Sequence, residues 1–233
     1  MKNKEKIKIY LERIRKLKRE KHHPLIHEVH KKHNISRQTL FYIKEYGKNS
    51  NVSGTIVRES IKILLLASII SSFGGLALDR IELLFLSIYP LVLLLPSLNN
   101  MIGNYGTIIS SRFSTMLYEG QVNKKWWKDP DLKKLFVQIM IITLMGVIMS
   151  SGIAIAITYF SQGISFDVGL KVFFIVLIDA TILANILFFI AILAGLSLYK
   201  RKEDPNNFLI PLTTSIADFA NMGILAILIL ILF

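Results

Sequence analysis

Residues 204–233, DPNNFLIPLTTSIADFANMGILAILILILF, decide the fold class of this chain. The stretch is almost continuously apolar over more than the ~20 residues that an α-helix needs to cross a bilayer. One carboxylate, Asp218, lies near its middle, and a carboxylate at bilayer depth costs on the order of 3 kcal/mol. Intramembrane acids usually face a cavity or a partner, and cations are the ligands that suit them. The stretch therefore predicts a membrane-spanning helix with a cation-binding position at Asp218.

The composition of the whole chain agrees with a membrane protein. Its 233 residues are 52% hydrophobic with a mean hydropathy of +0.50, which is too apolar for an ordinary soluble domain. Cysteine is absent, which excludes disulfides and thiolate metal sites. The sequence contains neither a nucleophile–base pair nor a phosphate-binding loop, so we expect no enzyme activity.

The basic charge is concentrated in the N-terminal quarter of the chain. Residues 1–60 hold sixteen Lys and Arg against six Asp and Glu, whereas residues 61–233 hold twelve against ten. We predict a basic helical cytoplasmic domain over 1–50, a linker over 51–60 and a membrane domain over 61–233. Residues 24–47 resemble a helix-turn-helix module, but we favour a basic cap that packs on the membrane domain or contacts anionic lipid. The alternative for residues 24–47 is nucleic-acid binding or regulation.

Five apolar segments follow and predict an all-α, polytopic membrane domain with five transmembrane helices. They lie at about 61–78, 81–118, 135–159, 170–199 and from 208 to the end. The second segment is far longer than a ~30 Å hydrocarbon core requires, and polar residues interrupt it at 99–104. We therefore predict that the second helix is broken there and that the polar break is buried or lines water.

The basic loops predict the orientation of the chain. The N-terminal segment, loop 119–134 and loop 200–204 are rich in Lys and Arg, whereas the turn at 79–82 and the loop at 160–169 hold one Arg and three acids. Five spans of alternating direction place all three basic regions in the cytoplasm. We therefore expect a multi-pass protein of the plasma membrane, surrounded by membrane lipid, with a cytoplasmic N-terminus and an extracellular C-terminus.

Asp218 lies on a polar stripe of the last helix. Thr214 and Asn221 share its face, and Pro211 frees a backbone carbonyl close by. Hydroxyls and carbonyls around a carboxylate suit a hard cation such as Mg²⁺, which is usually held by one or two carboxylates. One Asp per chain is little for a divalent ion, so we expect a homodimer with two copies of Asp218 across a twofold axis. The alternative is a buried acid that hydrogen-bonds a neighbouring helix.

Asp179, in the fourth segment, is a second candidate metal-binding residue. It can act as an auxiliary ion site, as a proton or Na⁺ relay, or as a structural partner of Asn185 or of a serine in the third segment. In the predicted break, Asn104 and its neighbours supply amide oxygens, and Gly103 allows close approach of the backbone.

Three motifs resemble those of the MgtE-type magnesium channels and the related eukaryotic solute-carrier magnesium transporters: YPLVLLLPSLNNMIGN, SSRFST and DPNNFLIPLTTSIAD. The resemblance covers about residues 58–233. It implies a homodimer with its pore between the second and fifth spans of both subunits. It also implies that hydrated Mg²⁺ is recognised by Asp218, by the backbone carbonyl of Thr214 one turn earlier, and by Asn104.

These features favour Mg²⁺ transport through a homodimeric pore, with Mg²⁺ as the transported ion rather than a resident cofactor. Uptake along the membrane potential gains about 2.3 kcal/mol per charge per 100 mV and needs no pump. One rival is a Na⁺- or H⁺-coupled divalent cation exchanger with Asp179 as the coupling site. The other is a membrane-tethered helix-turn-helix regulator that senses cations through its spans.

Overall fold

The computed structural model describes residues 29, 31–33, 40, 52–119, 122, 126–201 and 205–233. Six α-helices make up nearly all of the described membrane domain: α1 Val52–Asp79, α2 Glu82–Ser87, α3 Tyr89–Glu119, α4 Pro130–Gln162, α5 Phe166–Arg201 and α6 Pro205–Leu232. A single 3₁₀ turn, Trp126–Lys128, lies between α3 and α4. The described residues contain no strand, so the predicted all-α class is confirmed.

Four of these helices are long and apolar enough to cross a membrane. The qualifying segments are Ser60–Asp79 of α1, Pro130–Gln162, Phe166–Tyr199 and Phe208–Leu232. Helix α3 has 31 residues, which is about 46 Å at 1.5 Å per residue, but its asparagines, serines and threonines make it less apolar. Four of the five predicted spans are therefore found by length and composition, and a membrane crossing by α3 stays a prediction.

Helix α3 lies at the centre of the bundle, which explains why it can be more polar than its neighbours. It packs against α4, α5 and α6. Its apolar side chains recur every three to four residues and are almost completely buried, as at Leu94, Leu98, Ile102 and Ile109, none more than 1% exposed. Because other helices cover most of α3, it does not need the apolar surface of a helix that faces lipid on all sides.

The interruption in the second predicted span lies at Ile88, not at residues 99–104. Pro90 has no N–H with which to continue the helix from α2. Two short backbone bonds of the 3₁₀ type join the pieces instead, from Ile88 N to the Phe85 carbonyl (3.1 Å) and from Leu91 N to the Ile88 carbonyl (2.9 Å).

The prediction of a break at residues 99–104 is wrong, because α3 is continuous through them and even through Pro96. In a helix interior, Asn lowers the stability of the helix by well under 1 kcal/mol relative to Ala, and Gly lowers it by about 1 kcal/mol. Burial of the apolar face of α3 outweighs these small penalties. The asparagines consequently form a polar stripe on an intact helix.

Helix α1 begins at Val52, so the described part of the predicted linker, residues 52–60, is helical. The first apolar helix thus starts earlier than the predicted residue 61. The division between a domain at 1–50 and one at 61–233 stays a prediction. The expected N-terminal helices and the helix-turn-helix-like segment lie outside the described residues, apart from helical positions 29, 31–33 and 40.

Local signals explain where α4 begins and ends. The side chain of Asp129 accepts a hydrogen bond from Asp131 N (3.0 Å), and Pro130 occupies the first helical position. At the other end Gly163 has a left-handed φ of 66° and donates its N–H to the Tyr159 carbonyl (3.0 Å). These caps extend α4 beyond the predicted 135–159 at both ends.

The contact of α5 with α3 and α6 depends on the absence of a side chain at Gly195. A Cβ atom there would lie 2.7 Å from Cε1 of Phe113 and 3.1 Å from Cδ1 of Leu209. Phe113 is completely buried, so its ring has no free space into which it can move. Close packing at this glycine therefore fixes the distance between the helices.

We expect Gly195→Ala to destabilise the protein by about 1–3 kcal/mol, the usual cost of overpacking a core. The measurement is the Tm of the purified protein in detergent. Gly152→Ala is the matched control, because a Cβ at Gly152 in α4 would meet nothing within 4 Å. This substitution also removes the free-energy penalty of a glycine in a helix interior. Equal melting temperatures for the two variants would contradict the tight contact at Gly195.

Candidate cation site

A recess of about 370 Å³ lies between α3 and α6, and polar residues line most of it. Its lining residues are Pro96, Asn99, Asn100, Gly103, Asn104 and Thr107 from α3, with Thr214 and Asp218 from α6. Positions 100, 103, 104 and 107 recur at helical spacing and share one face of α3, and Thr214 and Asp218 are one turn apart on α6. The recess is therefore formed by two polar stripes that face each other.

Four of the five predicted metal-binding residues line this recess: Asp218, Thr214, Asn104 and Gly103. The fifth, Asp179, does not line it, because it lies on α5 and is completely buried. The structure thus brings together an amide and a glycine of α3 with a hydroxyl and an acid of α6, although the two pairs are more than 100 positions apart in the sequence. Their binding of an ion stays a prediction.

Two helices hold the carboxylate of Asp218. Asn99 of α3 donates from Nδ2 to Oδ1 at 2.9 Å, and Ser71 of α1 donates from Oγ to Oδ2 at 3.1 Å. Both donors are neutral, so neither compensates the carboxylate charge. Since a carboxylate oxygen has two lone pairs, each oxygen of Asp218 can still accept a bond from a ligand in the recess.

Asn221 extends this network by one further hydrogen bond. Its Nδ2 donates to Oδ1 of Asn99 at 3.0 Å, and its side chain is completely buried. With its oxygen accepting from Asn221, Asn99 presents its amide nitrogen to Asp218. A chain of bonds thus runs from Ser71 through Asp218 and Asn99 to Asn221.

The hydroxyl of Thr214 is bonded within its own helix. Its Oγ1 donates to the Ile210 carbonyl at 2.8 Å, so toward the recess the hydroxyl oxygen can act only as an acceptor, which suits a cation or its water. Pro211 leaves α6 continuous. The carbonyl that it deprives of a donor is four residues earlier, at position 207. A role for this carbonyl at the site stays a prediction.

The amide and glycine positions of α3 shape the rest of the recess. Asn104 Nδ2 lies 3.5 Å from Asn100 Oδ1, which leaves the Asn104 oxygen as an acceptor. A Cβ at Gly103 would meet nothing within 4 Å, so helix packing does not require a glycine at this position. Its missing side chain instead keeps the recess open.

A hydroxyl pair and a glycine hold the two lining helices together. Ser110 of α3 and Thr213 of α6 are hydrogen-bonded through their hydroxyl oxygens at 3.1 Å, and both side chains are completely buried. A Cβ at Gly106 would lie 3.1 Å from Thr213 Cβ. Close packing next to the recess therefore fixes how the polar stripes face each other.

Asp179 forms a separate polar feature inside α5. The neighbouring residues Val176, Ala180 and Leu183 are completely buried and apolar. Neither carboxylate oxygen has a hydrogen-bond partner in the described part of the chain. The expected partner Asn185 donates instead to the Thr181 carbonyl at 2.7 Å. A structural pairing of Asp179 with Asn185 is therefore not found.

Sequence reasoning missed the role of Ser71 and did not foresee that Asn99 acts as a donor to Asp218. The available signal was a row of small residues in α1: Ala67, Ser71 and Gly74 recur at helical spacing and indicate a closely packed face. Nothing in that row indicates which helix it faces.

These helices and this recess define a class of protein: an all-α membrane protein with an acid in a polar recess between two of its helices, held by neutral donors in the described part of the chain. A family model described as MgtE, divalent cation transporter, matches residues 95–228, which is more than half of the chain and includes every residue that lines the recess. The chain belongs to the MgtE family, which consists of transporters and channels rather than enzymes. The predicted family is confirmed. No curated protein and no solved structure matches the chain.

Proposed function

We propose that the protein transports Mg²⁺ across the plasma membrane through a homodimeric pore, in which Asp218 of each subunit binds the hydrated ion. The N-terminus is cytoplasmic in this proposal, as the basic loops predict. The observation that carries the proposal is the polar recess around Asp218. Membership of a divalent cation transporter family supports the class of substrate.

The size of the recess suits an ion that keeps its water. Mg²⁺ prefers octahedral coordination and gives up water reluctantly. Six waters at about 30 Å³ each occupy roughly 180 Å³, which is less than the recess volume of about 370 Å³. Bound waters donate hydrogen bonds, and the recess offers acceptors in the Asp218 carboxylate, the Asn104 amide oxygen and the Thr214 hydroxyl.

A second subunit accounts for the charge of the ion and for the exposed polar face. One carboxylate leaves a divalent ion with a net positive charge. Asn100 and Asn104 are exposed on α3, and polar groups at bilayer depth are found against protein or water rather than lipid. A copy related by a twofold axis covers this face and supplies a second Asp218.

Replacing Asp218 by Ala tests the site directly. We expect Mg²⁺ uptake into liposomes that contain the purified protein to fall between ten- and a hundredfold, because a bond to a charged group is worth about 1.5–3 kcal/mol. Uptake is followed with a Mg²⁺-sensitive dye inside the liposomes. Asp79→Asn, an exposed acid at the end of α1, is the control and should transport like the wild type. Unchanged flux in Asp218→Ala would overturn the proposal.

The absence of cysteine from the chain allows the dimer to be tested with single introduced thiols. Asn100→Cys lies on the proposed subunit interface, and a short bis-maleimide should convert it to a covalent dimer on a denaturing gel. Met149→Cys on α4 is 67% exposed and lies outside the recess, so it should remain monomeric. Cross-linking of Met149→Cys alone would contradict the proposed interface.

The burial of Asp179 favours a second candidate function, H⁺-coupled exchange. The register of α5 against α6 is set by contacts between Lys171 and Leu232 and between Gly195 and Leu209. It places Asp179 level with Leu225, about 10 Å along the axis from Asp218 at 1.5 Å per residue. The described charged side chains of α5 and of the helices packed against it are Asp167, Lys171, Arg112, Glu119, Asp131, Lys133, Lys134 and Asp218.

None of these charges bonds to Asp179, and an unpaired buried charge costs several kcal/mol. The neutral acid is the form that suits this conformation. Apolar flanking residues supply no oxygen ligands for Na⁺, so a proton is the cation that this position favours. Release of that proton in another conformation would couple H⁺ movement to transport.

Asp179→Asn keeps the shape of the neutral acid and removes its proton. If transport is H⁺-coupled, an imposed pH gradient should change Mg²⁺ flux through the wild-type protein and have no effect on the variant, with ion selectivity retained. Asp167→Asn, an exposed acid at the start of α5, is the matched control. Wild-type flux that is insensitive to both H⁺ and Na⁺ gradients would exclude the exchanger and leave uniport.

A further inference from the structure

The carboxylate of Asp218 is held by α1 as well as by α3. Ser71 Oγ donates to Oδ2 at 3.1 Å, and Asn99 Nδ2 donates to the other oxygen, Oδ1, at 2.9 Å. Because each oxygen accepts from its own donor, the carboxylate cannot rotate about its own axis without losing one of these hydrogen bonds. The remaining lone pairs therefore point in fixed directions.

Close packing at Gly74 brings α1 near enough for this bond. A Cβ at Gly74 would lie 3.0 Å from Cα of Phe219 and 3.3 Å from the carbonyl oxygen of Asp218. Ser71 and Gly74 are three residues apart and thus neighbours on the same face of α1. At the adjacent Gly75 a Cβ would meet nothing within 4 Å. The close approach is therefore specific to the face that carries Ser71.

Ser71 differs from the serines next to it in α1. Ser68 donates to the Leu64 carbonyl at 3.0 Å and Ser72 to the Ser68 carbonyl at 2.8 Å, both within α1 and both exposed. Hydroxyls in apolar helices usually bond in this way to the preceding turn. Ser71 instead donates across to another helix, and the acceptor is the acid of the candidate site.

We propose that Ser71 is a positioning residue for the ion-binding carboxylate, so that α1 forms part of the cation site although it lies outside the family match at 95–228. This inference rests on the proposed function of Asp218. Ser71 acts through Asp218 and does not line the recess itself. Its loss should weaken ion recognition and leave the translocation rate of a bound ion intact.

The test compares the Mg²⁺ concentration dependence of liposome uptake for the wild type, Ser71→Ala, Ser71→Thr and the control Ser72→Ala. We expect Ser71→Ala to raise KM for Mg²⁺ about tenfold, the lower end expected for a hydrogen bond to a charged group, with the maximal rate retained. Ser71→Thr keeps the donor and should restore KM. Ser72→Ala should behave like the wild type.

A fall in maximal rate with KM unchanged, or failure of Ser71→Thr to restore KM, would show a packing role only and overturn the inference. Wild-type behaviour of Ser71→Ala would overturn it as well. If Ser71→Ala is not recovered as folded protein, Ser71→Cys, whose thiol is a weak donor, replaces it under the same criteria. Asp218→Ala is measured in parallel to separate the two proposals. If Asp218→Ala loses flux while Ser71→Ala has normal kinetics, only the positioning role of Ser71 is overturned. If Asp218→Ala has unchanged flux, the proposed function is overturned.

Discussion

The hydrogen bonds to Asp218 join three helices of this bundle at one carboxylate, and the geometry of the recess depends on them. A carboxylate among apolar helices must be satisfied by protein groups or water, because lipid offers none. Here Asn99 and Ser71 each occupy one of its oxygens and thereby tie α1, α3 and α6 together at one depth. Neither donor is charged. The hydrogen bonds that stabilise the carboxylate among apolar helices therefore leave its negative charge available for a cation.

Small residues make these polar contacts possible. Gly74 allows α1 to pack closely against α6, Gly106 allows α3 to approach Thr213, and Gly195 allows α5 to approach the Phe113 ring. A serine hydroxyl is short, and it reaches a neighbouring helix only where the backbones come close. Helices in membranes associate through such packing and through interhelical hydrogen bonds rather than through the hydrophobic effect. Bundle stability and the geometry of the recess therefore depend on the same contacts.

Helical periodicity explains which parts of the recess are predictable. Thr214 and Asp218 are four residues apart, and the 3.6-residue repeat places them on one face whatever the surroundings are. The same repeat places Asn104 one turn from Asn100 on the same face of α3. It does not reveal whether a polar stretch interrupts a helix or lines one, since the local composition is the same in both cases. For that reason the composition of residues 99–104 predicts a break that the structure does not have, and the interruption lies instead at Ile88, two residues before Pro90.

The sequence by itself determined the all-α class, the family, and local features such as the Asp129 and Gly163 caps, because each depends on neighbouring residues or on the order of residue types along the chain. Only the tertiary structure decided that Ser71 contacts Asp218 across 147 positions and that Asn99 contacts it across 119. It also decided that Asp179 is buried without a partner among the described residues. Such contacts depend on how each helix is rotated and how closely it approaches its neighbours, and the packing of all the helices together sets these quantities.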